Sequence, residues 1–203
     1  MKIICIGRNY SKHAYELGNE TPKEPVFFLK PDTAIPQTGY PFYIPDFSEN
    51  IHYEVEVVVR INRLGKHIDE RFAHKYYSDI GLGIDFTARD LQEKLKSQGL
   101  PWEKAKGFDG SAAVSKHFIS KDKFDVSNLN FSLLKNGKIV QQGNTKDMLF
   151  TIDKLIAYIS SFITLKIGDL IFTGTPSGVG SVVKGDLLEG YVQDEKMLKV
   201  RIK

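Results

Sequence analysis

The sequence predicts an α+β domain in which β-structure predominates. Short apolar runs with strand-like alternation recur along the 203 residues, separated by turns that contain glycine or proline. A few segments have the pattern of short helices, but strands and helices do not alternate as regularly as they do in parallel α/β folds. Because no repeat or linker divides the sequence, we expect one domain over residues 1–203.

Local patterns define the elements of the N-terminal half. Residues 2–6 form an apolar strand that Gly7 ends, and the next segment suits a short helix capped by Asn9 or Ser11. Four prolines within residues 31–47 fix φ and remove backbone donors, so this passage should be irregular or form an edge strand. The other predicted elements are strands at 26–30, 51–61 and 77–86, a small helix near 69–75, and a helix with Thr87 as its N-cap and Gly99 after its last turn.

The C-terminal half contains the clearest hairpin. Asn136-Gly137 lies between two alternating segments and predicts a type I′ turn within residues 130–142. Thr151 predicts the N-cap of a helix over 151–162. The remaining sequence, from DLIFTGTPSGVG through GDLLEGYVQ to KMLKVRIK, predicts short strands separated by glycine turns.

Composition and charge are those of an ordinary globular protein. Hydrophobic residues make up 41% and charged residues 26% of the sequence. The formal net charge of +3 comes from scattered lysines, and no basic stripe with interleaved aromatic residues favours nucleic-acid binding. The single cysteine, Cys5, cannot form an intramolecular disulfide. The N-terminal apolar run is too short for a signal peptide and no segment approaches the ~20 apolar residues of a membrane span, so we expect a cytoplasmic protein.

Two glutamates lie on one face of the strand at residues 51–61. In the sequence HYEVEVVVRI, Glu54 and Glu56 point to the same side because alternate side chains of a strand share a face. In water the two charges repel only weakly, so the pair could lie on a solvated sheet face. In a partly buried site their repulsion would require a cation. The pair alone is compatible with both arrangements.

A third carboxylate, Asp85, ends the strand at 77–86 immediately before a predicted helix. There it could cap the helix or bind a cation. Together with the two glutamates it would form an all-oxygen ligand set, which favours Mg²⁺, Mn²⁺ or Ca²⁺ over zinc. Arg89 and Gln92 are three residues apart in the first helical turn and could reach a bound acid, or they could be ordinary exposed residues.

Four further residues are candidates for binding and catalysis. Lys106 precedes a glycine in PWEKAKGFDG and is either a solvent-exposed lysine or a partner for an anion at the metal. His13 and Glu16 are three residues apart in a short helix, a spacing that suits a general-base dyad and equally a surface pair. Residues 173–180 lack the lysine of a P-loop, but their backbone N–H groups and the Thr175 hydroxyl could hold a carboxylate.

The order of these segments resembles the fumarylacetoacetate hydrolase family. The resemblance runs from about Ile6 to the C-terminus and is closest to the small single-domain acylpyruvases and oxaloacetate decarboxylases. It implies a mixed β-sandwich roll with a few short helices, a homodimer, and a site for Mg²⁺ or Mn²⁺. The segments that carry it are GRNYSKHAYE, FLKP, HYEVE, GIDFTARDLQ, WEKAKGFD and TGTPSGVG.

The resemblance also implies roles for individual residues. Glu54, Glu56 and Asp85 become the metal ligands, and Lys106 contacts the substrate oxygens. The remaining implied roles are a dyad of His13 and Glu16 on a lid helix and substrate contacts from Arg89, Gln92 and Thr175.

The expected function is metal-dependent hydrolysis of a carbon–carbon bond in acylpyruvate-type 2,4-diketo acids such as fumarylpyruvate or acetylpyruvate. The same small 2-oxo acid site could decarboxylate oxaloacetate. One alternative is a 2-hydroxyhepta-2,4-diene-1,7-dioate-type isomerase or hydratase of aromatic degradation. Another is a non-catalytic divalent-metal-binding β-domain, which would not require Lys106, His13 and Glu16.

Overall fold

The computed structural model describes residues 1–16, 21–37 and 39–203, apart from the side chains of Lys12 and Ala14. Short strands predominate in these ranges, as the sequence predicts. The strands are β1 (Ile3–Gly7), β2 (Val26–Lys30), β3 (Ile51–Tyr53), β4 (Val55–Ile61), β5 (Tyr77–Asp85), β6 (Thr87–Ala88), β7 (Ala112–Val114), β8 (Ile119–Ser120), β9 (Asn130–Lys135), β10 (Lys138–Asn144), β11 (Leu170–Phe172), β12 (Gly180–Ser181), β13 (Leu187–Val192) and β14 (Glu195–Arg201). The α-helices are α1 (Ser11–Glu16), α2 (Glu70–Ala73), α3 (Arg89–Ser97), α4 (Glu103–Lys106) and α5 (Ile152–Phe162).

The strands form a mixed β-roll, the predicted fold. The largest sheet has the order β2-β1-β11-β4-β5-β7, with β8 also paired to β5. A second sheet has the order β10-β9-β13-β14, and a third, small sheet has the order β12-β3-β6. The parallel pairing of β1 with β11 joins segments that are far apart in the sequence, since Ile3 lies opposite Leu170.

Alternation along the strands places apolar side chains on both faces of the large sheet. One face, which includes Val57 and Leu82, joins the main core shared with the second sheet. The opposite face carries a smaller buried cluster that includes Cys5, Val58 and Phe172. Both faces are therefore dry, and a charged side chain on either one needs a partner.

The predicted strand at 51–61 is two strands in the structure. Its first part, β3, pairs with β6 and β12, whereas β4 pairs with β5 and β11. The chain changes sheets at Glu54, whose carbonyl accepts a hydrogen bond of 2.9 Å from the backbone N–H of Asp85. This change of sheet places Glu54 at an edge where the large and small sheets meet.

The predicted cap at Thr87 is wrong, and of the two candidate caps of α1, Asn9 or Ser11, Asn9 does not serve as one. Thr87 lies in β6 opposite His52, and α3 begins at Arg89 with Ala88 as an N-cap that has no side-chain hydrogen bond. The Asn9 amide donates to the carbonyls of Phe150 and Thr173 instead of capping α1. Both Thr87 and Asn9 are held by contacts with residues far away in the sequence, which the local pattern cannot predict.

Other boundary predictions are confirmed. Thr151 caps α5 by accepting a hydrogen bond from the Lys154 N–H. Asn136 and Gly137 have φ values of 53° and 80°, as a type I′ turn requires. In the described part of the chain, no helix is long and apolar enough to cross a membrane.

Candidate active site

The site begins with three buried carboxylates. Glu54 lies between β3 and β4, Glu56 lies on β4, and Asp85 is the last residue of β5. One oxygen from each lies within 4.8 Å of the others, and the three residues are between 1% and 5% exposed. A solvated sheet face is therefore excluded for the glutamate pair.

Lys106 bridges two of these carboxylates. Its ammonium donates to Glu54 Oε2 at 2.8 Å, to Asp85 Oδ2 at 2.8 Å and to the Thr87 hydroxyl at 2.6 Å. These contacts use all three of its N–H groups. Burial lowers the pKa of Lys106, but the two carboxylates outweigh burial and hold that pKa above its ordinary value. A solvent-exposed role for this lysine is excluded.

Lys30 is a charged site residue that the sequence interpretation missed. Its ammonium lies 2.5 Å from Asp85 Oδ1 and donates to the Ser111 carbonyl at 2.8 Å. Asp85 Oδ1 is buried and has no hydrogen-bond donor with suitable geometry, so the contact with Lys30 is an ion pair only. The sequence contains one indication that Lys30 is buried, because strand alternation places it on the same face as Phe28. In the structure Lys30 lies opposite the buried Ile3.

The two glutamates have opposite electrostatic environments. Burial disfavours the charge of Glu54, but Lys106 and Arg89 outweigh it and hold the pKa of Glu54 well below its ordinary value. Glu56 accepts a 2.6 Å hydrogen bond from the Gly174 N–H, and among the described residues no cation pairs with it. Burial and the charges of Asp85 and Glu54 therefore raise the pKa of Glu56 well above its ordinary value.

Arg89 connects the acidic set to the start of α3. Its guanidinium donates to Glu54 Oε1, to Gln92 Oε1 at 2.5 Å and to His52 Nδ1 at 3.4 Å. His52 Nε2 lies 3.0 Å from the side-chain oxygen of Asn50, which assigns its proton to Nε2 and leaves Nδ1 as the acceptor. Burial and Arg89 lower the pKa of His52, in agreement with a neutral ring. Arg89 and Gln92 are both buried, so the exposed alternative is excluded for them.

His13 and Glu16 form the predicted pair on α1. His13 is 5% exposed, and its Nδ1 lies 3.3 Å from Glu16 Oε2. Glu16 also accepts a 3.1 Å hydrogen bond from the Gly178 N–H. The buried His13 is therefore linked through the exposed Glu16 to residues 173–180.

Residues 173–180 hold two carboxylates of the protein itself, whereas a bound carboxylate at this segment stays a prediction. The N–H groups of Gly174 and Gly178 donate to Glu56 and Glu16 respectively. Thr175 donates its hydroxyl proton to the Val55 carbonyl and accepts from the amide of Gln141, each at 2.8 Å. Gln141, a second residue that the sequence interpretation missed, thereby fixes the Thr175 side chain.

Most of the site residues line one small cavity. Its volume is about 40 Å³, enough for a cation with a few water molecules. Larger grooves of about 640 and 770 Å³ elsewhere on the surface contain none of the predicted site residues. Glu16 does not line the cavity and contacts it through His13. The predicted residues that do line it are His13, Glu54, Glu56, Asp85, Arg89, Gln92, Lys106 and Thr175.

The residues fit a hard divalent cation. Their ligand atoms are all carboxylate oxygens, which Mg²⁺ and Mn²⁺ prefer. Asp85 Oδ1 has no hydrogen-bond donor, and Glu56 has no cationic partner among the described side chains. A cation held by Glu54, Glu56 and Asp85 would satisfy both deficiencies.

Comparisons with known proteins identify a family and relatives of this chain. Residues 2–203 match the family model described as fumarylacetoacetate (FAA) hydrolase C-terminal. A mitochondrial oxaloacetate decarboxylase of Dictyostelium discoideum is 47% identical over 191 residues, 93% of this chain and 87% of that protein. Oxaloacetate tautomerase YcgM of Escherichia coli is 45% identical over 189 residues, 92% of this chain and 86% of that protein.

Solved structures with the same fold carry related names. Fumarylpyruvate hydrolase of Pseudomonas aeruginosa, in complex with Mn²⁺ and pyruvate, is 33% identical with a TM-score of 0.93, covering 100% of this chain and 89% of that one. The 2-hydroxyhepta-2,4-diene-1,7-dioate isomerase of Mycobacterium marinum is 31% identical with a TM-score of 0.86, covering 99% and 73%. With the family model matching nearly the whole sequence, the chain belongs to the fumarylacetoacetate hydrolase family.

Proposed function

We propose that this protein is a Mg²⁺- or Mn²⁺-dependent enzyme that converts oxaloacetate through its enol form, by tautomerisation or decarboxylation. The observation that carries the proposal is the set of three buried carboxylates with Lys106 and His13 on one cavity. A metal-binding domain without catalysis would need the carboxylates but not the other two groups. The names of the D. discoideum oxaloacetate decarboxylase and the E. coli oxaloacetate tautomerase support this choice of substrate.

Charge balance favours a substrate with two negative charges. Three carboxylates in the site face three buried cations, Lys30, Arg89 and Lys106. These charges cancel when all are ionised, so a bound divalent cation would leave an excess of two positive charges. The first carboxylate and the enolate oxygen of a bound 2-oxo acid would neutralise that excess at the acidic set.

A bound Mg²⁺ or Mn²⁺ would supply Lewis-acid chemistry that polarises the 2-oxo group. Lys106 would turn one N–H from a carboxylate to the developing oxyanion. For tautomerisation, His13 takes a proton from C3 and the C–H electron pair becomes the C2–C3 double bond. For decarboxylation, the C3–C4 electron pair forms that double bond as carbon dioxide leaves, and His13 then transfers a proton taken up from solvent to C3. Glu16 holds the imidazole in place.

Hydrolysis of acylpyruvates is the second candidate, and the His13–Glu16 pair favours it. His13 would take a proton from water as the oxygen attacks the 4-keto carbon. The C3–C4 bond then breaks and releases an acid and the enolate of pyruvate. The likeness to a fumarylpyruvate hydrolase supports this reaction. Isomerisation of a 2-hydroxy-dienoate would use the same base to move a proton, and the M. marinum relative supports that alternative.

The test measures three reactions with Mg²⁺, with Mn²⁺ and with chelator. They are enol-to-keto conversion of oxaloacetate, carbon dioxide release from oxaloacetate, and pyruvate release from acetylpyruvate. We expect metal-dependent conversion of oxaloacetate and a loss of about a hundredfold or more in Glu56→Gln. Glu103→Gln, an exposed carboxylate change on α4, should stay within about twofold of wild type. Oxaloacetate conversion that is insensitive to chelator would refute the proposal.

We also propose that the chain forms a homodimer and takes a small 2-oxo acid as its partner, as the family resemblance implies. Light scattering coupled to gel filtration should give twice the chain mass, and a mass of one chain would contradict the dimer. The cytoplasmic location stays a prediction from the sequence.

A further inference from the structure

The cavity carries two cations, Arg8 and Lys96, that the proposed mechanism does not use. We propose that they bind a second carboxylate of the substrate and thereby select dicarboxylic 2-oxo acids over monocarboxylic ones. This inference rests on the proposed function, because it assumes that the first carboxylate and the 2-oxo group lie at the acidic set. It assigns a specificity role to residues outside that set.

The backbone of Arg8 is held in an unusual conformation. Its φ of 61° lies in the left-handed region, which an arginine rarely occupies. On one side, Gly7 pairs with Val26 in the sheet. On the other side, the fully buried Asn9 is fixed by hydrogen bonds to Phe150 and Thr173. Because both neighbours are fixed, the turn at Arg8 is imposed by the fold and directs the side chain to the cavity wall.

Arg8 differs from the other cavity arginine in its partners. Arg89 is bound by Glu54, Gln92 and His52. By contrast, within residues 1–16, 21–37 and 39–203 the Arg8 guanidinium has no hydrogen-bond or ion-pair partner, although it is partly buried. A guanidinium stays charged at any physiological pH and offers two parallel donors that match a carboxylate. An anionic group of the substrate is the partner that this geometry suits.

Lys96 places a second positive charge beside Arg8. It is an exposed residue seven positions after Arg89 on α3, so both lie on the helix face that borders the cavity. Arg8, Arg89 and Lys96 line the same cavity, and burial together with the charges of the two arginines lowers the pKa of Lys96. A substrate carboxylate at this end would offset that repulsion.

The cavity has two chemically different parts, the acidic set and the end that carries Arg8 and Lys96. The charges of Lys30, Arg89 and Lys106 are matched by the three carboxylates, whereas the Arg8 guanidinium takes no part in those ion pairs. Phe28 and Trp102 line the cavity as well and offer apolar surface to a short carbon chain. A dicarboxylic 2-oxo acid bound in this cavity would therefore have one end at the acidic set and its distal carboxylate towards Arg8 and Lys96.

The test compares two isosteric ligands that the proposed reactions do not consume. Calorimetry on the Mn²⁺-loaded protein would measure binding of 2-oxoglutarate and of 2-oxopentanoate, which has a methyl in place of the distal carboxylate. We expect wild type to bind 2-oxoglutarate at least about tenfold more tightly. In Arg8→Asn the ratio of the affinities for 2-oxoglutarate and 2-oxopentanoate should fall to about twofold or less, because the charge that binds the distal carboxylate is gone. Asparagine is chosen because it tolerates the left-handed backbone conformation at this position.

A matched pair of lysine variants on α3 tests the second cation. Lys96→Gln should lower the ratio, whereas Lys94→Gln, an exposed change on the same helix away from the cavity, should leave it unchanged. If Arg8→Asn weakens the binding of both ligands equally, the inference is overturned, since Arg8 would then have a purely structural role. If Arg8→Asn does not fold, an unchanged ratio in Lys96→Gln overturns it instead. If the protein prefers 2-oxoglutarate over 2-oxopentanoate but does not convert oxaloacetate, the proposed function is refuted and the carboxylate site at Arg8 and Lys96 is supported.

Discussion

Lys30 shows how single residues hold this site together. Its side chain has no exposure, and its charge is matched by Asp85 and two backbone carbonyls. We predict that Lys30→Met lowers the free energy of unfolding by about 3–5 kcal/mol, because it removes one of the two cations, Lys30 and Lys106, that pair with the buried Asp85 charge. Urea unfolding in the presence of chelator measures this effect. The exposed change Lys138→Met should shift stability by no more than about 0.5 kcal/mol.

A double variant separates lost charge pairing from lost packing. Lys30→Met combined with Asp85→Asn removes both charges, so it should recover part of the stability lost in Lys30→Met while metal binding stays lost. A double variant that is no more stable than Lys30→Met would contradict the explanation by charge pairing.

At the same scale, the sequence predicts the acidic residues but not all of their partners. Glu54 and Glu56 stand out because two charges share a face of an apolar strand. Lys30 does not stand out, because a lysine is almost never fully buried and its partner Asp85 is far away along the chain. Gln141 is missed for the same reason, since its contacts with Val55 and Thr175 join distant segments.

At the scale of elements, the turn at Gly174 links residues 173–180 to the acidic set. Gly174 has φ of 98°, and a Cβ at this position would lie 2.7 Å from the Cβ of Asn9. Because its N–H holds Glu56, we predict that Gly174→Ala lowers stability by about 2 kcal/mol or more and weakens Mn²⁺ binding about tenfold. Thermal unfolding and calorimetric titration with Mn²⁺ measure the two effects.

Gly99 offers a matched control. It also has a positive φ, of 64°, but a Cβ there would meet nothing within 4 Å. Gly99→Ala should therefore cost only about 1 kcal/mol of backbone strain and leave Mn²⁺ affinity unchanged. If the two variants bind Mn²⁺ equally well, the turn at Gly174 does not position Glu56.

Elements with local determinants are predictable from the sequence, and those with tertiary determinants are not. The hairpin at Asn136-Gly137 and the cap at Thr151 depend on neighbouring residues and are confirmed. Thr87 has the pattern of a helix cap, but pairing with β3 places it in a strand, where its hydroxyl accepts from Lys106. The break at Glu54 likewise depends on two different sheets meeting there.

At the scale of the whole molecule, the order of short motifs predicts more than their periodicity does. The family resemblance indicates the mixed β-roll, and the matched family model confirms the family. Strand order has no comparable local signal, because the large sheet joins β1 to β11 across most of the chain. The cavity itself exists only after α1, α3, α4 and residues 173–180 pack around the end of β4 and β5.

Metal binding should therefore stabilise the large sheet more than the second sheet. The three carboxylates come from β4, β5 and the residue before β4, while β10-β9-β13-β14 supplies none. At a Mn²⁺ concentration of about 100 Kd, linkage gives about 2.7 kcal/mol, or a rise in Tm of about 5–10 °C for a chain of this length. Calorimetry should show this rise, and amide exchange should slow most in β4 and β5.

The rise in Tm should vanish in Glu56→Gln. This variant removes a metal ligand without breaking an ion pair, because no cation among the described residues pairs with Glu56. An equal rise in Glu56→Gln would mean that Mn²⁺ binds elsewhere, and protection spread evenly over both sheets would mean that the site is not local to β4 and β5.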